Sequence, residues 1–89
     1  MRKLYWVRKM ANSERNIYNV IGLNIRKYRK MKGWTQRELA EKLLLSESFI
    51  AKLESITYQT ISIDTLEQIA LLLEVDIACF FNKDVEKDY

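Results

Sequence analysis

Apolar residues recur at three- and four-residue steps along most of this chain, and the period breaks only at short polar stretches that carry helix-capping residues. The first stripe, Ile17, Val20 or Ile21, Ile25 and Tyr28, predicts a helix over about 14–32, with Ser13 as N-cap, Gly33 as C-terminal stop, and Arg26, Lys27, Lys30 and Lys32 on the opposite face. Thr35 opens a second helix, Glu38 three residues later completes a capping box, and Leu39, Ala40 and Leu43 point inward. Ser46 caps a third, with Phe49, Ile50 and Leu53 as its apolar set. Residues 55–61 are β-branched and polar without a helical stripe and read as a loop. Ser62 caps a fourth helix lined by Leu66, Ile69, Ala70 and Leu73. A short fifth starting at Asp76 places Ile77, Phe80 and Phe81 on the core, and from Asn82 the mostly charged chain is expected to fray. The pattern predicts an all-α, compact five-helix domain over 14–81, an N-terminal extension over 1–13 and a polar tail over 82–89.

Length and composition agree with that architecture. A chain of 89 residues supports one domain with one core, and two glycines with no proline favour packed helices over short strands. No apolar run approaches the roughly 20 residues that span a bilayer. The segment Leu4-Tyr5-Trp6-Val7 returns to charge too soon for a signal-peptide core, so a cytoplasmic protein without membrane contact is expected. The single cysteine, Cys79, forms no intrachain disulfide and reads as a small packing residue. Without histidine, the common zinc ligand sets are absent, and no metal or cofactor is expected. There is no glycine-rich phosphate loop and no acid pair in an evident pocket, with Glu38 and Glu41 reading as helix surface, so an enzyme is not expected.

Charge changes the picture. The net +3 hides a division: residues 1–34 hold ten Lys/Arg against one acid, Glu14, while residues 35–89 hold five against eleven. A segregated positive field is what phosphate contacts and steering to DNA require.

Residues 35–54 carry the candidate chemistry. Two short amphipathic helices joined by a tight turn have the form of a helix-turn-helix, which makes DNA the first partner to consider. In the second of these helices Phe49, Ile50, Leu53 and Glu54 are assigned to the core, and Glu47, Ser48, Ala51, Lys52 and Ser55 look outward. That outward face is narrow and polar enough to enter a major groove about 12 Å wide. Ser48 serves several base edges, Lys52 reaches guanine or a phosphate, Glu47 accepts from cytosine N4, and Ala51 admits close approach. A carboxylate grouped with apolar residues needs a partner, and Arg29, near the end of the first helix, is the candidate for a buried pair with Glu54.

With these blocks assembled, the chain resembles the lambda-repressor-like (Cro/repressor type, XRE-like) helix-turn-helix family over about residues 18–81. The resemblance rests on Ile25-Arg26-Lys27-Tyr28-Arg29, Trp34-Thr35-Gln36-Arg37-Glu38-Leu39-Ala40, Ser46-Glu47-Ser48-Phe49-Ile50-Ala51-Lys52-Leu53-Glu54 and Ser62-Ile63-Asp64-Thr65-Leu66-Glu67-Gln68-Ile69-Ala70. It implies a backbone-contacting and buttressing role for Gln36, with Arg37 beside it, and DNA contacts from Ser46, Glu47, Ser48 and Lys52. It also implies an internal Arg29–Glu54 salt bridge and homodimers on near-palindromic operators with half-sites roughly 34 Å apart. The chain departs from the family at Leu44, where the turn often has glycine, and in the loop after Glu54, which has Ile56 and Ile61 and no Lys or Arg.

The leading expectation is a sequence-specific, homodimeric regulator of transcription, a repressor on double-stranded DNA. Two alternatives stand beside it. One is an antitoxin that represses its own operon and meets a toxin partner through the aromatic N-terminal segment; the other is a protein-interaction module that has lost DNA binding.

Overall fold

The computed structural model describes residues 16–55 and 59–85. Among these residues four α-helices are followed by a 3-10 helix, α1 (Ile17–Met31), α2 (Gln36–Leu43), α3 (Glu47–Glu54), α4 (Ile63–Leu73) and Ile77–Phe81, and there is no strand. Ile21 and Ile25 of α1 meet Leu39 and Ala40 of α2, Ile50 and Leu53 of α3, Leu66, Ile69, Ala70 and Leu73 of α4, and Phe80 in one core. None of the described helices is long and apolar enough to cross a membrane.

The predicted caps at three helices are in place. Thr35 N–H donates to Glu38 Oε1 (2.8 Å) and Glu38 N–H donates back to Thr35 Oγ1 (3.0 Å), closing the capping box. Ser46 Oγ accepts from Phe49 N–H (3.0 Å), and Ser62 Oγ accepts from Thr65 N–H (3.1 Å). The first helix requires a correction: it is opened by Asn16, whose Oδ1 accepts from Asn19 N–H (3.0 Å), and not by Ser13, which lies outside the described residues. Its end is as predicted. Gly33 sits at φ 78°, its N–H donating to Lys30 O (2.9 Å) and that of Trp34 to Arg29 O (3.2 Å), the paired bonds of a Schellman stop.

The C-terminal part differs more. Phe80 is fully buried but Phe81 is 38% exposed, against the expectation that both line the core. The reason is the helix type: at three residues per turn Ile77 and Phe80 share a face and Phe81 rotates away. The chain does not fray at Asn82. Asn24 Nδ2, wholly buried in α1, donates to the carbonyls of Val20 (3.0 Å), Phe80 (2.9 Å) and Asn82 (3.0 Å), and Val85 is 3% exposed. The packed unit therefore extends to Val85. The N-terminal extension over 1–13, expected as an arm or strand and a candidate dimer contact, and the last tail residues, 86–89, lie outside the described residues.

At the far end of α4, Glu74 caps the helix in the left-handed region (φ 60°) and its carboxylate accepts from Lys32 Nζ. That hydrogen bond, and then the Lys32 charge, hold the Glu74 carboxyl below its ordinary value. The Lys32 and Lys42 Nζ atoms lie 5.8 and 4.8 Å from the Trp34 ring centroid, and the Lys42 contact ties the α1–α2 connection to α2.

Candidate nucleic-acid interface

Three devices fix the angle between α2 and α3. Leu44 caps α2 in the left-handed region (φ 59°, ψ 38°), with its N–H bonded to Glu41 O (3.2 Å). Leu45, half-buried against the core, donates from its N–H to Ala40 O (2.9 Å). Ser46 then caps α3. The turn geometry that usually calls for glycine is thus kept with leucine in place, at a steric cost, and the Leu44 side chain is 92% exposed.

Behind α3 lies a charged lock. Glu54 is buried, and Arg29 meets it bidentately, Nε to Oε2 and Nη2 to Oε1, both at 2.8 Å. The third donor, Arg29 Nη1, goes to Trp34 O, and Gln36 Nε2 donates to Glu54 Oε1 at 3.0 Å. One carboxylate therefore joins the C-terminal end of α1, the first residue of α2 and the last of α3. The expected pair is present, with Gln36 as a third member. Planar bidentate geometry, with all three guanidinium nitrogens hydrogen-bonded, is the arrangement in which a buried pair is sustained.

Rotation alone does not account for this burial. At about 100° per residue Glu54 returns to within about 20° of Glu47, two turns earlier. The structure separates them along the axis: the C-terminal end of α3 meets α1 at Leu53 and Glu54, and Glu47 at the N-terminal end is exposed. The approach is made at Gly22, where a Cβ would stand 1.7 Å from Leu53 O and 3.5 Å from Glu54 Cα, so only glycine admits this crossing. Asn19, also buried, adds a long hydrogen bond from Nδ2 to Ser55 O (3.5 Å) at the same end. Gly22 and Asn19 are supports that the sequence reading missed, although a glycine and an asparagine inside an apolar helical stripe are the available signal.

The other face of α3 is open. Ser46, Glu47, Ser48 and Lys52 are exposed, and Ala51 and Ser55 half-exposed. Glu47, Ser48 and Lys52 use none of their side-chain polar groups in an ion pair or hydrogen bond among the described residues. Ser55 is different, since its hydroxyl donates to Lys52 O (3.0 Å) and so closes the helix end. Arg37 is exposed and pairs along α2 with Glu41 (3.5 Å) and not toward α3. Gln36 is half-buried with its amide nitrogen spent on Glu54. The resulting surface is a short, small, polar ridge backed by a rigid lock, with donors and acceptors at its tip. No cluster of His, Cys, Asp and Glu suited to a metal occurs among the described residues.

Comparison with known proteins agrees with this geometry. Residues 22–84 match the family described as "Helix-turn-helix domain". The HTH-type transcriptional regulator SinR of Bacillus licheniformis is 34% identical over 70 residues, and that of Bacillus subtilis (strain 168) 33% identical. In each case the match covers 79% of this chain and 63% of the relative, so the chain spans less than two thirds of these proteins. Among solved structures, a hypothetical transcription factor NHTF from Neisseria superposes with a TM-score of 0.69 at 27% identity, covering 79% of both chains.

Proposed function

We propose that this chain, which belongs to the helix-turn-helix domain family in its Cro/XRE-type branch, binds double-stranded DNA with α3 in the major groove and regulates transcription. What supports this most directly is the outer face of α3, where Glu47, Ser48 and Lys52 stand exposed, their polar groups uncommitted among the described residues, on a helix locked from behind by Arg29, Glu54 and Gln36. Ser48, Ala51 and Lys52 face base edges or phosphates. Ser46, Gln36, Arg37 and Ser55 border that face, Gln36 acting chiefly as a buttress. The relatives named transcriptional regulators carry the same domain, and the basic first third of the chain supplies the sequence-independent attraction to phosphates.

The finer assignment is a homodimeric repressor that occludes a promoter by binding a near-palindromic operator, two domains meeting successive major grooves about 34 Å apart. Fluorescence anisotropy on operator DNA should give affinity that falls steeply with salt and depends on sequence, with one dimer per site. Binding indifferent to both salt and sequence would sink the reading. One observation favours a different role: the 55–61 segment has no Lys or Arg and α3 presents an acid, which suits a protein-interaction module that has given up DNA. Unchanged promoter occupancy after replacing Ser48 and Lys52 would favour that module.

A further inference from the structure

Glu47 is an unusual group to offer to a polyanion, and its surroundings say what it can do. It is the first residue of α3, exposed, on the same side as Ser48, Ala51 and Lys52, and its carboxylate has no ion-pair partner among the described residues. The other acid of the helix, Glu54, is consumed by Arg29 and Gln36. Resting on the DNA-binding role proposed for the domain, we infer that Glu47 is a specificity-determining residue that selects a cytosine in the major groove.

The selection follows from what a carboxylate lacks. It accepts hydrogen bonds and donates none. In the major groove guanine presents two acceptors, N7 and O6, thymine presents the O4 acceptor beside a methyl group, and adenine offers one donor next to the N7 acceptor. Only cytosine presents its N4 donor without an acceptor of its own on that edge. A carboxylate carried into a groove of strong negative potential loses hydration and gains repulsion from phosphates. A donor at the contacted base offsets that cost, and an acceptor adds to it. Glu47 therefore works largely by rejection: affinity is supplied by Lys52 and the chain's other exposed basic residues, and the acid penalises every base but cytosine at one position.

A purely structural role for Glu47 predicts something else. An acid in the first turn of a helix complements the positive end of the helix dipole. In that case its replacement by a neutral residue would relieve phosphate repulsion and raise affinity for all sequences alike, with no change in preference.

Selection of bound fragments from random double-stranded DNA, run in parallel with the full chain and with Glu47→Gln and Glu47→Ala, separates these outcomes. Thermal melting checks that each variant keeps the fold, which exposure of the site favours. The expected result is a wild-type motif with cytosine at one position in each half-site, preferred about fivefold or more. Glu47→Gln should shift that position toward adenine, whose N6 and N7 suit an amide, and Glu47→Ala should leave it unselected. A motif that all three proteins share overturns the inference and leaves DNA binding intact. A motif without cytosine at any position sensitive to Glu47 overturns it as well. Failure of the wild type to enrich any sequence overturns specific DNA recognition, and this inference falls with it.

Discussion

Two glutamates on α3 lie near the same angle of the helix and have opposite fates. Glu54 is 4% exposed and fully engaged by Arg29 and Gln36, whereas Glu47, two turns earlier, is exposed and unpaired among the described residues. The difference lies in position along the axis, because α1 packs on α3 at Leu53 and Glu54 while Glu47 and Ser48 at the N-terminal end stay exposed. One helix thus separates two tasks by length as well as by face. Its far end fixes the fold, its near end is free to vary, and a change at the near end alters what is read without disturbing what holds the reader.

Removing each acid in turn is the most direct way to break that comparison. Glu54→Ala should cost about 3 to 5 kcal/mol in chemical denaturation, since it leaves the Arg29 guanidinium buried and uncompensated. Glu47→Ala should stay within about 1 kcal/mol, the scale of a lost first-turn charge. The double variant Arg29→Ala/Glu54→Ala should be more stable than the sum of the single losses predicts, because no orphan charge remains. Equal effects of Glu47→Ala and Glu54→Ala would remove the distinction.

The lock was legible mainly through the family resemblance, which implies an Arg29–Glu54 pair; helical rotation alone sets Glu54 close to the outward-facing Glu47 and gives no reason for its burial. The caps at Thr35, Ser46 and Ser62 were legible directly, since a short polar side chain accepting from the backbone three residues on is a local event. What stayed hidden depends on distant partners. Asn24 holds Asn82 across 58 residues, which no periodicity records, so the burial of Val85 and the ordered end of the domain were not foreseen. Phe81 was misplaced because five residues do not reveal whether a helix turns in 3.6 or three residues. Ser13 and Asn16 both qualify chemically as caps, and Asn16 wins by directly preceding the first residue of the stripe. At the outer face, residue types indicated which side chains are exposed but not that Ser55 spends its proton on Lys52 O, nor that Arg37 pairs along its own helix.

Gly22 sharpens the comparison from the buried side. Gly22→Ala places a methyl group where Leu53 O now stands at 1.7 Å, and a backbone carbonyl yields only if the end of α3 moves. Overpacking of this kind should cost about 1 to 3 kcal/mol or more in denaturant unfolding. It should also weaken DNA binding, although Gly22 touches no base, because the shift tilts α3. Under the same reasoning Glu47→Ala changes sequence preference with little loss of stability. Gly22→Ala with unchanged stability and affinity would mean that the crossing of α1 over α3 does not position the reading face.

Leu44 tests the smallest effect, and tests whether exposure alone makes a residue free. Its side chain is 92% exposed, more open than a surface contact requires, yet its backbone sits at φ 59°, where an L-residue bearing a side chain is strained by roughly 1 to 2 kcal/mol. Leu44→Gly removes that strain and sacrifices almost no buried apolar area. Glycine also raises the entropy of the unfolded chain, which offsets part of the gain. The net expectation is stabilisation by about 0.5 to 1 kcal/mol, or roughly 2 to 8 °C in Tm for a domain of this size, with DNA affinity unchanged because the turn keeps its shape. Destabilisation would show that the leucine side chain holds the turn through contacts of its own. Stabilisation would place Leu44 apart from Glu47: both are open to solvent, but only at Glu47 is the backbone indifferent to the residue it carries.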